Sequence, residues 1–330
     1  MQDWLVRRWR APTLTSRALL WPAAGLFTLA AAGRRWAYRR GWLASRRLAV
    51  PVIVVGNLTV GGSGKTPRVL HLVQALQAAG WRPGVVSRGH GGAASAPRRL
   101  TDAADPADCG DEPAMIQWQA GCPVAVGADR AAAAALLVPD CDVIVADDGL
   151  QHYALARDIE IAVVDGQMGL GNGWPLPAGP LREPARRLAG VDFVAVRDGD
   201  RAGAWRIDIR ADTARRIDGQ GGARTLAHWR GRAVHAVAGI GVPERFFSQL
   251  ERAGVEIERH AFADHYALRE PDLAFADQRP VLMTGKDAVK CRPFADARMW
   301  MLDARVEDRL GLAAAVCAHA RGPLTTARRS

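Results

Sequence analysis

Residues 52–67 read VIVVGNLTVGGSGKTP. A β-branched apolar run passes into a glycine-dense turn, and Gly64, Lys65 and Thr66 open an apolar-periodic helix, VLHLVQAL. Strand, glycine loop and helix in that order form a phosphate cradle. Closely spaced glycines let backbone N–H groups turn inward on an anion, and the helix N-terminus adds partial positive charge. The expected nucleotide-binding set is Thr59, Gly61, Gly62, Ser63, Gly64, Lys65 and Thr66. Lys65 is placed to reach the terminal phosphates and the Thr66 hydroxyl to hold Mg²⁺. One position departs from the usual spacing, which wants glycine five residues before Gly64; here it is Thr59, with Gly56 earlier.

Downstream, apolar strand patterns alternate with helical ones. PRVLHLVQALQAAG, PAMIQWQAG and ADRAAAAALLV read as helices; RPGVVSRG, CPVAVG, CDVIVADDG, IEIAVVDG and VDFVAV read as strands. Nearly continuous apolar strands between helices predict an α/β fold, a mostly parallel sheet with helices on both faces. Residues 169–184, GLGNGWPLPAGPLREP, hold four prolines and read as a long functional loop. Residues 202–224 alternate polar and apolar and read as exposed antiparallel strands, a connector between units. The βα rhythm then restarts with RAVHAVAGIG, VPERFFSQLERAG and VEIERHAF, followed by RPVLMTGKD as a strand into a loop and LGLAAAVCAHARG as a helix. The expected organisation is an N-terminal segment (1–47), a P-loop domain (48–201), a strand hinge (202–224) and a smaller α/β lobe (225–330).

Composition narrows the class. The chain has 330 residues and a net charge of +10. Residues 1–47 carry ten arginines against the single acid Asp3, so the remainder is close to neutral. A nucleic-acid-binding body would carry its own basic face. The same segment holds five of the 11 tryptophans, around the apolar run ALLWPAAGLFTLAAAG. That run is shorter than the ~20 residues of a spanning helix, and Pro22 and Gly25 interrupt it. Arginine and tryptophan on both flanks suit a helix lying at an anionic membrane interface; a core helix, a short span and a secretory signal are the alternatives. Five cysteines without Cys-x-x-Cys spacing indicate buried thiols in a reducing compartment.

Further residues carry chemistry. The strand VIVADD ends in Asp147 and Asp148, where a carboxylate can hold Mg²⁺ beside the phosphates; Gln151 and His152 follow closely. Asp111, at a loop-to-helix junction beside Glu112, reads equally as a helix N-cap or as a base for an attacking hydroxyl. His265, in Asp264-His265-Tyr266, is ambiguous alone. Ser87 and Arg88 begin a second glycine-rich turn able to meet an anion.

GNLTVGGSGKTP, SRGHGG, GDEP, DDGLQH, LPAGPLREP, AGIGVPERFF, FADHY and TGKDAVKC occur in that order. Together they resemble the tetraacyldisaccharide 4′-kinase family of the lipid A pathway, whose cradle also lacks the first glycine. The resemblance implies transfer of the γ-phosphate of ATP, with Mg²⁺, to the 4′-hydroxyl of a tetraacylated glucosamine disaccharide 1-phosphate. It implies a place at the cytoplasmic face of the bacterial inner membrane, peripheral or monotopic, with no obligatory protein partner. It implies that Asp111 is the catalytic base, His265 its partner and Lys65 a catalytic phosphate ligand. Asp147, Asp148, Gln151 and His152 then lie near metal and phosphates, and Arg182 and Glu183 in an active-site loop. Two positions depart from the family: His90 replaces a usual tyrosine and Gly285 a usual glutamate. The rival reading is a membrane-associated NTPase switch or chaperone; TGKD superficially resembles a guanine-reading motif, but its lysine and aspartate are adjacent.

Overall fold

The computed structural model describes residue 9 and residues 14–60, 65–89, 92, 96–101 and 104–321. The expected cradle residues Gly61, Gly62, Ser63 and Gly64 lie outside the described residues, as do His90, most of residues 1–13 and the last nine residues.

The strands are β1 (Val52–Asn57), β2 (Pro83–Ser87), β3 (Arg98–Arg99), β4 (Val124–Val126), β5 (Val143–Asp147), β6 (Ile159–Asp165), β7 (Phe193–Arg197), β8 (Trp205–Arg216), β9 (Arg224–Thr225), β10 (Ala233–Ala238), β11 (Glu256–Ala261), β12 (Val281–Met283) and β13 (Met299–Asp308). Hydrogen bonds link them in the order β11-β10-β12-β13-β8-β7-β6-β1-β5-β2-β4-β3, with β9 on β8. β1 lies parallel between β5 and β6. Antiparallel pairing occurs where β8 meets β13 and β9, and where β3 meets β4.

Period-two alternation in β1 feeds two cores. Ile53 and Val55 point into one with Val69, Leu72, Val73 and Leu76 of α2 (Lys65–Ala78). Val52 and Val54 point into the other with Leu137, Leu155 and Leu181. Both faces of β1 are therefore dry, and an unbroken apolar run is the consequence. α1 (Leu14–Arg39) precedes the sheet. α3 (Asp111–Ala120), α4 (Arg130–Ala135), α5 (Pro243–Arg252), α6 (Gly285–Cys291) and α7 (Leu312–Arg321) complete the longer helices. All five cysteines are free and buried.

Two readings need correction. Residues 202–224 form one twelve-residue strand, β8, and the short β9. β8 pairs antiparallel with β9 and β13, as the pattern predicts, but it is also bonded to β7, so it sits inside the sheet and not in an exposed connector. Its mixed pattern hides this because half its length is only partly covered. TGKD is not a loop: Thr284 caps α6, and Lys286 and Asp287 lie in its first turn.

The C-terminal ends of β1 and β5 meet closely. A Cβ on Gly56 would lie 2.9 Å from Leu150 Cγ and 3.1 Å from the Leu150 backbone nitrogen. Gly56→Ala should cost about 1–3 kcal/mol by overpacking, read as a lower urea midpoint at unchanged m-value.

Candidate active site

The parallel strands end together, and their C-terminal edge collects the polar residues. Asp147 closes β5 beside Val55 of β1, is 1% exposed, and shares this edge with Thr66, buried in the first turn of α2. Of the other expected cradle residues, Thr59 is described, and Lys65 has helical backbone. A hydroxyl and a carboxylate are hard oxygen donors of the kind Mg²⁺ takes, so Thr66 and Asp147 fit that ion.

Asp148 is turned elsewhere. Its backbone is left-handed at φ 49°, and Arg182 Nη1 donates to both its carboxylate oxygens at 2.9 Å. The buried Arg130 donates from Nη1 to the Asp148 carbonyl at 2.7 Å. Burial lowers the Arg130 pKa, while the Asp148 and Asp147 charges act the other way. Within the expected pair, Asp148 is tied to Arg182 of the 169–184 loop, while Asp147 lies buried at the strand end.

That loop is seated along the entry to the cradle. Arg182 N donates to Leu58 O at 2.6 Å and Val60 N to Pro180 O at 2.8 Å, and Thr59 bridges Leu181. Gln151 donates to Asn57 O at 3.1 Å. Glu183 is buried; it accepts from the Tyr153 hydroxyl and faces Arg187 Nε at 3.8 Å. Its environment is a closed network, which argues for shaping the loop over touching phosphate. His152 lies close by: burial, then the Arg130 and Arg157 charges, push its imidazole down to about 4. Ser87 is buried at the end of β2, and Arg88 is exposed next to it.

The second group of polar residues joins the two halves of the chain. His265 Nδ1 lies 3.0 Å from Asp111 Oδ2, across 154 residues, and His265 is held at φ 62°. Lys290 Nζ lies 3.2 Å from the same Asp111 oxygen, and Lys286 Nζ lies 2.6 Å from Glu112 Oε1. Asp111 is not an N-cap; Gly110 occupies that position, and Asp111 begins the helix. Its side chain is thereby released toward His265 and Lys290.

Lys286, Asp287 and Lys290 were absent from the expected set. Asp287 is fully buried, accepts from Thr284 Oγ1 at 2.6 Å and from Gly239 N at 3.1 Å, and faces Lys290 at 3.6 Å. A carboxylate committed in this way is unavailable to read a base, which removes the guanine motif. Burial disfavours the Lys286 ammonium, yet Glu112 outweighs it and the pKa is raised. The i, i+3 spacing of Asp287 and Lys290 was the available signal. At Gly285 a Cβ would stand 3.0 Å from Met115 Sδ, in the packing of α6 on α3.

Residues 16–320 match the family described as Tetraacyldisaccharide-1-P 4′-kinase. The chain belongs to that family. It is 51% identical over 313 residues to the tetraacyldisaccharide 4′-kinase of Azoarcus sp., covering 89% of each chain. It is 49% identical over 299 residues to that of Nitrosococcus oceani, covering 90% of this chain and 88% of the relative. The fold resembles the crystal structure of the Aquifex aeolicus family member LpxK in complex with ATP, with TM-score 0.76, 26% identity, and coverage of 88% of this chain and 94% of that one.

The His152 shift sets a pH dependence. Between about 6.5 and about 4 the unfolded chain binds more protons at this site than the folded one, so stability falls as pH falls through that window. His152→Gln should flatten this part of the stability–pH curve, measured by urea unfolding at stepped pH.

Proposed function

We propose that Asp111 receives the proton of the acceptor's 4′-hydroxyl in this family's reaction. The enzyme is an ATP-dependent phosphotransferase acting on a tetraacylated disaccharide 1-phosphate. The new bond joins the 4′-oxygen to the γ-phosphorus; the bond to the β,γ-bridging oxygen breaks, ADP departs and the hydroxyl proton passes to the carboxylate. Phosphoryl transfer asks mainly for alignment and charge neutralisation. The single observation carrying this reading is the Asp111 carboxylate, buried and gripped by His265 and Lys290.

His265 and Lys290 act as positioning groups that fix one oxygen of Asp111 and leave the other for the hydroxyl. Thr66 and Asp147 would hold Mg²⁺, which supplies charge neutralisation on the transferring phosphate. Residues 59–66 are assigned to the triphosphate, with Lys65 on the terminal phosphates. Arg182, held by Asp148, presents a cation at the same edge.

The acceptor side is assigned to α1. A pocket of about 370 Å³ lies between Phe27, Ala30, Ala31 and Arg34 of that helix and Gln151, Arg182 and Glu183 of the site. Trp21 stacks on Trp174 of the 169–184 loop at 4.9 Å, and Trp9 Nε1 donates to Pro177 O at 2.9 Å. The segment also exposes Leu26, Leu29, Trp36 and Trp42. No helix among the described residues is long and apolar enough to cross a membrane. An apolar stripe flanked by arginines suits the interface of an anionic bilayer. We assign it to the cytoplasmic face of the inner membrane, where ATP is available.

Asp111→Asn should lower kcat by roughly 10²–10⁴ while ATP affinity holds; equal losses in both would argue against the base. Leu26→Ser with Leu29→Ser should release the protein from anionic vesicles in flotation and leave the melting temperature unchanged. Undiminished flotation would refute this docking face.

A further inference from the structure

Far from the phosphate edge, β10 and β11 bring two imidazoles and a carboxylate together. His235 pairs in register with Glu258, and Val237 with His260. Period two puts His235, Glu258 and His260 on one face of the sheet. His235 Nδ1 and His260 Nε2 are 3.0 Å apart. Glu258 Oε2 lies 3.7 Å from His235 Nδ1, and Glu258 Oε1 lies 3.7 Å from His260 Nε2. The three side chains can present one ligand atom each, all within 4.8 Å of one another.

The surroundings orient these atoms. His235 Nε2 lies 3.0 Å from Asp277 Oδ1. When Nε2 donates there, Nδ1 keeps its lone pair and aims it at His260. A carboxylate behind a ligand imidazole is the usual support of a metal-bound histidine. Arg279 fixes this shell, bonding Asp277 Oδ2 at 2.6 Å and Glu258 Oε2 at 2.5 Å. Glu258 Oε1 therefore remains directed to His260. The Phe275 ring stacks on His235 at 3.8 Å and covers one side. His260 keeps 20% side-chain exposure and Glu258 51%, which leaves an entry path and room for water.

We propose that His235, His260 and Glu258 form a binding site for a divalent transition-metal cation of the zinc class. Two imidazoles and one carboxylate are a borderline donor set suited to Zn²⁺ and unsuited to Mg²⁺ or Ca²⁺. The nitrogen–nitrogen separation of 3.0 Å is shorter than the edge, about 3.3 Å, of a tetrahedron with bonds of about 2.0–2.1 Å, so the rings part slightly to admit the ion. Water completes the coordination, and the role is structural. β11 is an edge strand, bonded only to β10 in the sheet order. The ion ties it to β10 five residues before His265, whose segment meets Asp111.

Full-length protein stripped with EDTA is titrated with ZnCl₂ against a chromophoric chelator, and its melting temperature is followed with and without zinc. One Zn²⁺ per chain is expected, with a zinc-dependent rise in melting temperature. Glu258→Gln, at an exposed side chain, and His260→Ala should each abolish the rise and weaken binding by more than tenfold. Asp277→Asn should weaken it by about 10–100-fold, as removal of a supporting carboxylate does. Should His260→Ala fail to fold, Glu258→Gln alone decides. Failure of zinc to compete with the chelator, or equal binding by wild type and Glu258→Gln, overturns the site and leaves a hydrogen-bonded histidine pair. Both results are independent of kinase turnover.

Discussion

One buried carboxylate holds the two halves of this enzyme in working relation. Asp111 opens α3 in the N-terminal half of the chain, and its Oδ2 is met by His265 and Lys290 from the C-terminal half. An isolated charge of this kind would be costly to bury, so its partners are as necessary as the charge itself. Lys286 with Glu112 repeats the arrangement one residue along. Two ammonium–carboxylate contacts between the same pair of helices fix both the distance and the rotation of α6 on α3.

The parallel sheet supplies the rest of the geometry. β1 and β5 end side by side, so the helix carrying Thr66 and the carboxylate of Asp147 share one edge with no long connection. Asp148, one residue further, leaves the strand at a positive φ and binds Arg182 instead. Adjacent acids thus diverge through backbone direction: Asp147 continues the line of the strand to its C-terminal edge, and Asp148 anchors the 169–184 loop. The same loop is tied to α1 by the stack of Trp21 on Trp174, and its Pro177 carbonyl accepts from Trp9 ahead of that helix. The N-terminal helix and the C-terminal edge of the sheet are consequently linked by a single irregular segment.

Local pattern made most of the sheet legible. VIVVGN and CDVIVADD are apolar on both faces because helices cover both, and PRVLHLVQAL carries the 3.6-residue stripe of α2. The place of β8 inside the sheet is hidden from the pattern because most of its side chains stay partly exposed, while its backbone pairs with β13 along most of its length and with β7 and β9 near its ends. Within the site, the motifs marked Asp111, His265, Asp147 and Arg182, yet no local signal says that Asp111 meets His265, since 154 residues and the sheet's topology intervene. Arg130 and Lys290 were missed for a related reason. Each is a charged residue in a short alanine- or valine-containing helix, where solvent exposure is the ordinary expectation; burial came from tertiary packing. For Asp111 the sequence offers cap and base equally, and the structure removes the cap reading because Gly110 occupies that position.

The most direct test is a double-mutant cycle on the phosphoryl-transfer step, measured as the single-turnover rate for wild type, Asp111→Asn, His265→Gln and the double variant. If Asp111 and His265 work as one unit, the double variant is no slower than the slower single variant. Multiplying rate losses, as two independent groups would show, contradicts the account.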